Sequence, residues 1–257
     1  FKSHTYDAII HLAANVGGLY KNMARNIQMF QDNMLMNMNI LEACHANNIQ
    51  KGVFVLSSCI YPANPSRFPM DETMIHEGPA HESNEGYAYS KRMMEMLCKQ
   101  YNETFQRQYI CVVPVNLYGP YDNFDLRDGH LIPMIMHRFF LTKDLPIAYG
   151  TGTPLRQFLY APDFANIICR VLFEYEETTP LVCCNDDEYT IQTIVKQICN
   201  AMNIDYGKVK WDTSKSDGCM KKTVTNAKFK HVFPDFTFTS LDDGLKETYS
   251  WFLKHIL

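Results

Sequence analysis

Apolar residues in this chain first fall into short, β-branched runs separated by longer stretches with helical spacing. Residues 6–13 (YDAIIHLA) read as a buried strand, followed by a polar loop over 15–21. Residues 26–48, rich in Met, Asn and Leu, predict one long helix. A second strand is expected over 53–57 (VFVLS), then a long Pro-rich loop over 62–85, a helix over 87–105, and a third strand over 109–115 that NLYGP stops. Strand, helix, strand, helix, strand at this pitch predicts βαβ units on a parallel sheet with right-handed crossovers. Beyond Tyr118 the rhythm changes: helices are expected over 130–141, 162–176, 190–202 and 241–257, and short strands near 157–160 and 181–184. The expected fold is α/β, a doubly wound parallel sheet with a smaller α+β part at its carboxyl edge. The boundary is placed at 1–129 and 130–257, with some later segments returning to the sheet.

The long helix carries two apolar rows. Ile27, Phe30, Met34, Met38 and Leu41 form one, and Met29, Met36, Ile40 and Ala43 the other. A helix covering one sheet face needs a single stripe. The second row implies burial against another subunit or, equally well, a second face buried within the same chain.

Composition narrows the class. Of 257 residues, 46% are apolar and 20% charged, which fits a globular chain and excludes a disordered one. A net charge of −4 announces no basic face, so no nucleic-acid or membrane partner is expected. No apolar run reaches the length of a bilayer span, and FKSHTYDAIIHLAA lacks the regions of a signal peptide. The nine cysteines show neither CxxC pairs nor zinc-like spacing, so no metal site is expected and a reducing, cytoplasmic setting is. Phe1 is not an initiator Met and precedes a strand almost directly, so the chain reads as a piece of a longer one.

Three segments converge at the carboxyl ends of predicted parallel strands, where open α/β sheets place their ligands. They are Ser57-Ser58-Cys59, Tyr87-Ala88-Tyr89-Ser90-Lys91 and Asn116-Leu117-Tyr118-Gly119-Pro120. Tyr and Lys four apart share a helix face, so the ammonium is expected to lower the phenol pKa for proton transfer. A Ser hydroxyl from the neighbouring strand can polarise a carbonyl. With 15 Tyr and 24 basic residues, roughly one Tyr has a base at i+4 by chance. Strand-end hydroxyls, a solvated Tyr–Lys pair and an ordinary Gly-Pro turn would also account for each part alone. Their joint order across three successive junctions carries the catalytic reading.

HLAAN, SSCIYP, YAYSK and NLYGPYDNF together resemble the extended short-chain dehydrogenase/reductases acting on nucleotide sugars. DGHLIP, GTGTPLRQF and KSDG followed by KKT are similar to the GDP-L-fucose synthase branch of that family, and the resemblance runs from about Tyr6 to the final helix. It implies a Rossmann-like fold, a GDP-sugar substrate, NADP(H) as cofactor, and a homodimer built on the long Met-rich helix and the YxxxK helix. The implied activity is epimerisation at C3 and C5 of a 4-keto-6-deoxy sugar, followed by reduction at C4.

By the same resemblance, Ser57, Tyr87 and Lys91 match a reductase triad, and Cys59 and His130 an epimerisation pair. A thiolate and an imidazole both titrate near neutrality, which suits proton exchange beside a ketone. The alternatives are a buried small residue for Cys59 and, for His130, a helix-start histidine near the Asp128 carboxylate. Leu12, Ala13 and Ala14, Val55, Leu56, Ser57 and Ser58, and Pro114, Val115, Asn116 and Leu117 match segments along the cofactor, as do Tyr87, Lys91 and His130. Arg138, Tyr149, Arg156, Asp217 and Lys222 match the sugar-nucleotide side, where arginine forks suit a pyrophosphate. They are otherwise surface residues paired with acids. Tyr149 stands where the family has Trp. A Gly-rich phosphate turn is expected some fifty residues before Tyr6, and Gly17-Gly18 does not replace it. The rivals are a nucleotide-sugar 4-epimerase or 4,6-dehydratase, or a non-catalytic fragment.

Overall fold

The computed structural model describes residues 4–142 and 144–256. The first part of the chain alternates as its pattern predicts: β1 (Ala8–His11), α1 (Leu19–Ala24), α2 (Asn26–Ala46), β2 (Lys51–Val55), α3 (Glu85–Phe105) and β3 (Gln108–Pro114). There follow β4 (Asn116–Tyr118), α4 (Leu131–Leu141), β5 (Ile147–Tyr149), β6 (Leu155–Arg156), β7 (Phe158–Tyr160) and α5 (Ala161–Glu174). The chain then adds β8 (Leu181–Cys183), β9 (Tyr189–Thr190), α6 (Ile191–Met202), β10 (Lys210–Asp212), α7 (Ala227–Val232) and α8 (Leu241–His255). The last residue of the helix expected over 241–257, Leu257, lies outside the described residues.

The main sheet is parallel, in the order β1-β2-β3-β8. β3 is buried from Tyr109 to Pro114, as a central parallel strand must be when both of its faces are covered. Each of its fully buried valines, Val112 and Val113, contributes about 2 kcal/mol by leaving water. Register pairs His11 with Phe54, Val55 with Val112 and Pro114 with Cys183. Residues following β1, β2 and β3 therefore emerge along one edge.

The long helix buries a different stripe from either row expected. Met29, Asn33, Asn37, Leu41 and Cys44 face inward, while Ile27, Phe30 and Met38 of the first row are exposed. The two asparagines are inside because they satisfy buried backbone and His groups. Asn33 donates to the Asn15 carbonyl and accepts from its N–H, both at 2.9 Å. Asn37 accepts from or donates to nothing apolar: its Oδ1 meets His11 Nε2 at 3.0 Å and its Nδ2 donates to the Ser90 carbonyl at 3.3 Å. These bonds tie α2 to the end of β1 and to the YAYSK turn of α3. Close approach of the two helices also requires Gly86, whose N–H donates to Asn26 Oδ1 at 2.6 Å and where a Cβ would strike the Asn26 carbonyl.

A second apolar core gathers α4, α6 and α8 around β5 and β7. Its α6 is amphipathic, burying Ile191, Ile194, Val195, Ile198, Cys199 and Met202 beneath a Thr190 cap that accepts the Thr193 N–H at 3.0 Å. The two cores are stitched by α5, which follows β7 and packs its Phe164, Ile167 and Val171 into the main core. Several short elements differ from the sequence reading. The loop expected over 15–21 turns into α1 at Leu19, and NLYGP does not simply stop β3 but forms β4, parallel to β7. Strands of two or three residues, such as β6 and β9, have no periodicity to read; they exist because a partner strand is present.

Candidate active site

A cavity of about 490 Å³ opens at the carboxyl edge of the main sheet, between the two cores. Its walls include Leu12, Ala14, Val55, Leu56, Ser57, Ser58, Cys59, Tyr87, Lys91, Pro114, Val115, Asn116, Leu117, His130, Tyr149, Arg156, Asp217 and Lys222. Segments more than two hundred residues apart in sequence thus meet in one space. Two expected residues lie off this wall, Ala13 and Arg138.

The turn after β2 is a short 3₁₀ segment, Ser58–Ile60, capped by Ser57, whose Oγ accepts the Cys59 N–H at 3.3 Å. Arg92 holds this turn from behind, donating from Nε to the Ile60 carbonyl at 2.6 Å and from NH1 to the Gly78 carbonyl at 2.7 Å. Cys59 is buried, and burial pushes its thiol up; the Lys222 ammonium, the Ser57 hydroxyl and Lys91 oppose the shift. The thiolate near neutrality expected from sequence is therefore not the form this environment favours, because dehydration of the sulfur outweighs the nearby cations.

Lys91 is 2% exposed and donates to the Val55 carbonyl at 2.7 Å, with its Nζ 5.8 Å from the Tyr87 ring centre. Burial pushes its pKa down to about 8, against the influence of Cys59 and Cys111. The Tyr87 hydroxyl is shifted up by burial and, secondarily, by Cys59. This corrects the expected lowering by Lys91. The ammonium is committed to a strand carbonyl rather than to the phenol, so dehydration decides the outcome and Tyr87 is kept as a proton donor.

His130 stands at the N-cap of α4, its Nδ1 3.7 Å from Asp122 Oδ1. Arg138 leaves the cavity to stack on Tyr149, its guanidinium carbon 3.7 Å from the ring centre, and donates to the Ile147 carbonyl at 3.2 Å. Lys215 approaches the same ring at 5.7 Å. Tyr149 is thus a ring set among cations, which accounts for Arg138 turning away: the stacked pair satisfies it without an anion. Asp217 does not present a free carboxylate either. It accepts the Thr151 N–H and hydroxyl, both at 2.8 Å, and binds the KSDG loop to the turn at Gly150, whose φ of +82° and lack of a Cβ permit the approach. Arg156 and Lys222 both line the cavity, and burial pushes both guanidinium and ammonium pKa values down. Dehydrated cations at a cavity wall favour an anionic guest.

Sequence reasoning missed Tyr20, Asn22, Asn84 and Arg127 on the wall and Asp122 behind it. Asn22 is buried and donates from Nδ2 to the Gly17 and Gly18 carbonyls at 2.7 and 3.0 Å, which leaves its Oδ1 without a protein donor. Asn84 Oδ1 is likewise buried and unpaired. The available signal was the NVGG segment after β1, which reads as an ordinary polar loop until the fold places it over the cavity mouth.

Residues 1–183 match the model of the NAD dependent epimerase/dehydratase family. A GDP-L-fucose synthase of Dictyostelium discoideum is 45% identical over 251 residues, covering 95% of this chain and 78% of that protein. A probable GDP-L-fucose synthase of Drosophila melanogaster is 40% identical, covering 96% of this chain and 80% of that protein. The crystal structure of a GDP-L-fucose synthetase from Naegleria fowleri bound to NADP superposes with a TM-score of 0.91 at 39% identity, covering all of this chain and 79% of that one.

Proposed function

The chain belongs to the NAD dependent epimerase/dehydratase family and, within it, to the GDP-L-fucose synthases, and from that premise we propose how its residues divide the work. The activity is NADPH-dependent conversion of a GDP-4-keto-6-deoxy-D-mannose to GDP-L-fucose, by epimerisation at C3 and C5 and reduction at C4. The observation that carries the reading is one cavity holding both Tyr87 with Lys91 and Cys59 with His130.

The cavity fits a nicotinamide cofactor along the segments after β2 and β3. Lys91, a dehydrated ammonium with one donor on Val55 and others to give, suits the ribose hydroxyls, and the backbone from Val55 to Ser58 and from Pro114 to Leu117 forms the adjoining wall. NADPH, when bound, supplies hydride to C4. Tyr87, held protonated by burial, donates its proton to the C4 oxygen, and Ser57 donates a hydrogen bond to the same oxygen. Before that, Cys59 and His130 exchange protons on opposite faces of the carbons beside the ketone. The ketone makes those C–H bonds acidic by taking the electron pair as an enolate. Arg156 and Lys222 receive the diphosphate, and Tyr149 and Asp217 shape the outer end of that site.

Residues 1–129 serve the cofactor and 130–257 mainly the sugar nucleotide, with α5 and β8 returning to the main sheet. The protein works as a homodimer through the exposed sides of α2 and α3, where Ile27, Leu35, Met38 and Met96 are bare. A cytoplasmic setting is supported by nine free cysteines, seven of them buried; among the described residues, no helix is long and apolar enough to cross a membrane.

The test is turnover. With GDP-4-keto-6-deoxy-D-mannose and NADPH, NMR of the product should identify GDP-L-fucose, and Tyr87→Phe should slow NADPH oxidation by roughly a hundred- to ten-thousandfold. A product epimerised at neither C3 nor C5, or a Tyr87→Phe variant at the wild-type rate, contradicts the assignment.

A further inference from the structure

Asp122 lies behind the cavity wall and has an incomplete set of partners. Its Oδ1 accepts the Asn123 N–H at 2.7 Å and stands 3.7 Å from His130 Nδ1, while its Oδ2 is buried without a protein donor. A buried carboxylate oxygen left unpaired is costly, and it is the carboxylate's other oxygen that stands nearest His130. The loop is also built to aim it. Tyr121 adopts φ +66°, a left-handed conformation that is strained for a non-glycine residue. Its ring packs 4.9 Å from that of Trp251, and the Asp122 N–H reaches back to the Gly119 carbonyl at 3.4 Å.

The rest of the loop is fastened independently of Asp122. Asn123 Oδ1 accepts the Asp125 N–H at 2.9 Å, Asp125 Oδ1 accepts the Arg127 N–H at 2.8 Å, and Gly129 N–H donates to the Asp125 carbonyl at 2.9 Å. His137 Nδ1 donates to the Phe124 carbonyl at 2.7 Å and pins the loop to α4. The loop is thus held by several bonds besides the Asn123 N–H that Asp122 accepts. The Asp122 carboxylate faces His130, the imidazole that, among the described residues, opens on the cavity.

We propose that Asp122 is a positioning residue for His130, holding its Nδ1–H so that Nε2 is the nitrogen that exchanges protons with the sugar. The inference rests on the assignment of His130 to epimerisation made above. It adds what that assignment leaves open, namely which nitrogen works and what keeps it oriented. His130 sits at the amino end of α4, its Nδ1 toward Asp122. A carboxylate beside one ring nitrogen fixes which nitrogen of the neutral ring carries the proton. In the step itself a C–H bond beside the ketone breaks and its electron pair moves toward the ketone oxygen. Its proton passes to one member of the Cys59/His130 pair, and the other returns a proton to the opposite face. His130 enters this exchange through Nε2 alone, and Nδ1–H stays with Asp122 throughout.

The test uses the protein with ¹⁵N-labelled histidine, the His130 signals being identified by their loss in His130→Asn. The neutral ring should carry its proton on Nδ1, and Asp122→Asn should shift the population toward Nε2–H. In deuterated solvent with the keto sugar, Asp122→Asn should lower the maximal exchange rate at least about tenfold, within the range of general acid–base contributions, with KM unchanged. Asp122→Glu should recover part of the loss. An Nε2–H tautomer in the wild-type protein overturns the proposal, as does wild-type exchange in Asp122→Asn when His130→Asn is impaired. If His130→Asn itself exchanges at the wild-type rate, it is the assignment of His130 that fails.

Discussion

Lys91 shows at the scale of one residue how much a motif tells and where it stops. The i, i+4 spacing with Tyr87 correctly places both side chains on one helix face and at one cavity. It does not tell which neighbour takes the ammonium, because Val55 arrives from another strand, or that burial raises the Tyr87 pKa instead of lowering it. Burying a charged lysine carries a cost with a definite pH signature. Its pKa falls from 10.5 to about 8 on folding, so between these values the unfolded chain holds a proton that the folded chain has lost. Stability then rises with pH across that window, by up to about 3 kcal/mol, and the penalty is present in full below it. Lys91→Met should abolish this rise. At pH 7 it should stabilise the protein by about 1–2 kcal/mol, once the lost Val55 hydrogen bond is set against the relieved charge. Thermal unfolding at pH 7 and pH 9 measures both, and an unchanged pH dependence in the variant would show that Lys91 is not the group responsible.

At the scale of elements, long periodic segments were legible and partner-dependent ones were not. The sequence pattern locates α2, α3 and β3 to within a few residues, but it assigns α2 the wrong inward face. The reason lies in Asn33 and Asn37. Hydrophobicity counts them as outward, yet they are inside because the Asn15 backbone, His11 and the Ser90 carbonyl need partners there. Turning the helix onto that stripe leaves Ile27 75%, Leu35 61% and Met38 50% exposed. Met36 and Ile40, in the row that sequence alone would assign to an interface, are partly covered instead. If a second copy covers the bare face, Leu35→Glu and Met38→Glu should convert a dimer to monomers in sedimentation while leaving the circular dichroism unchanged. A monomeric wild-type protein, or a double variant that remains dimeric, contradicts the proposed assembly.

At the scale of the whole molecule, the cavity exists because two cores meet at the edge where β1, β2 and β3 end. The motifs that line it were legible as chemistry, since SSC and NLYGP follow strands and YAYSK opens a helix where the βαβ rhythm predicts them. Arg138 and Asp122 were not. Whether Arg138 of α4 faces a ligand depends on Tyr149 and Ile147 of β5, and the role of Asp122 depends on a turn at Tyr121 that only the folded chain displays. The central claim is that this one space houses two separable reactions. The direct measurement is deuterium incorporation into C3 and C5 of the keto sugar in deuterated solvent, followed by mass spectrometry beside NADPH oxidation. Cys59→Ser should lose incorporation, whereas Tyr87→Phe should retain most of it and lose oxidation. Incorporation at the wild-type rate in Cys59→Ser would make Cys59 a packing residue and leave the cavity a simple reductase site.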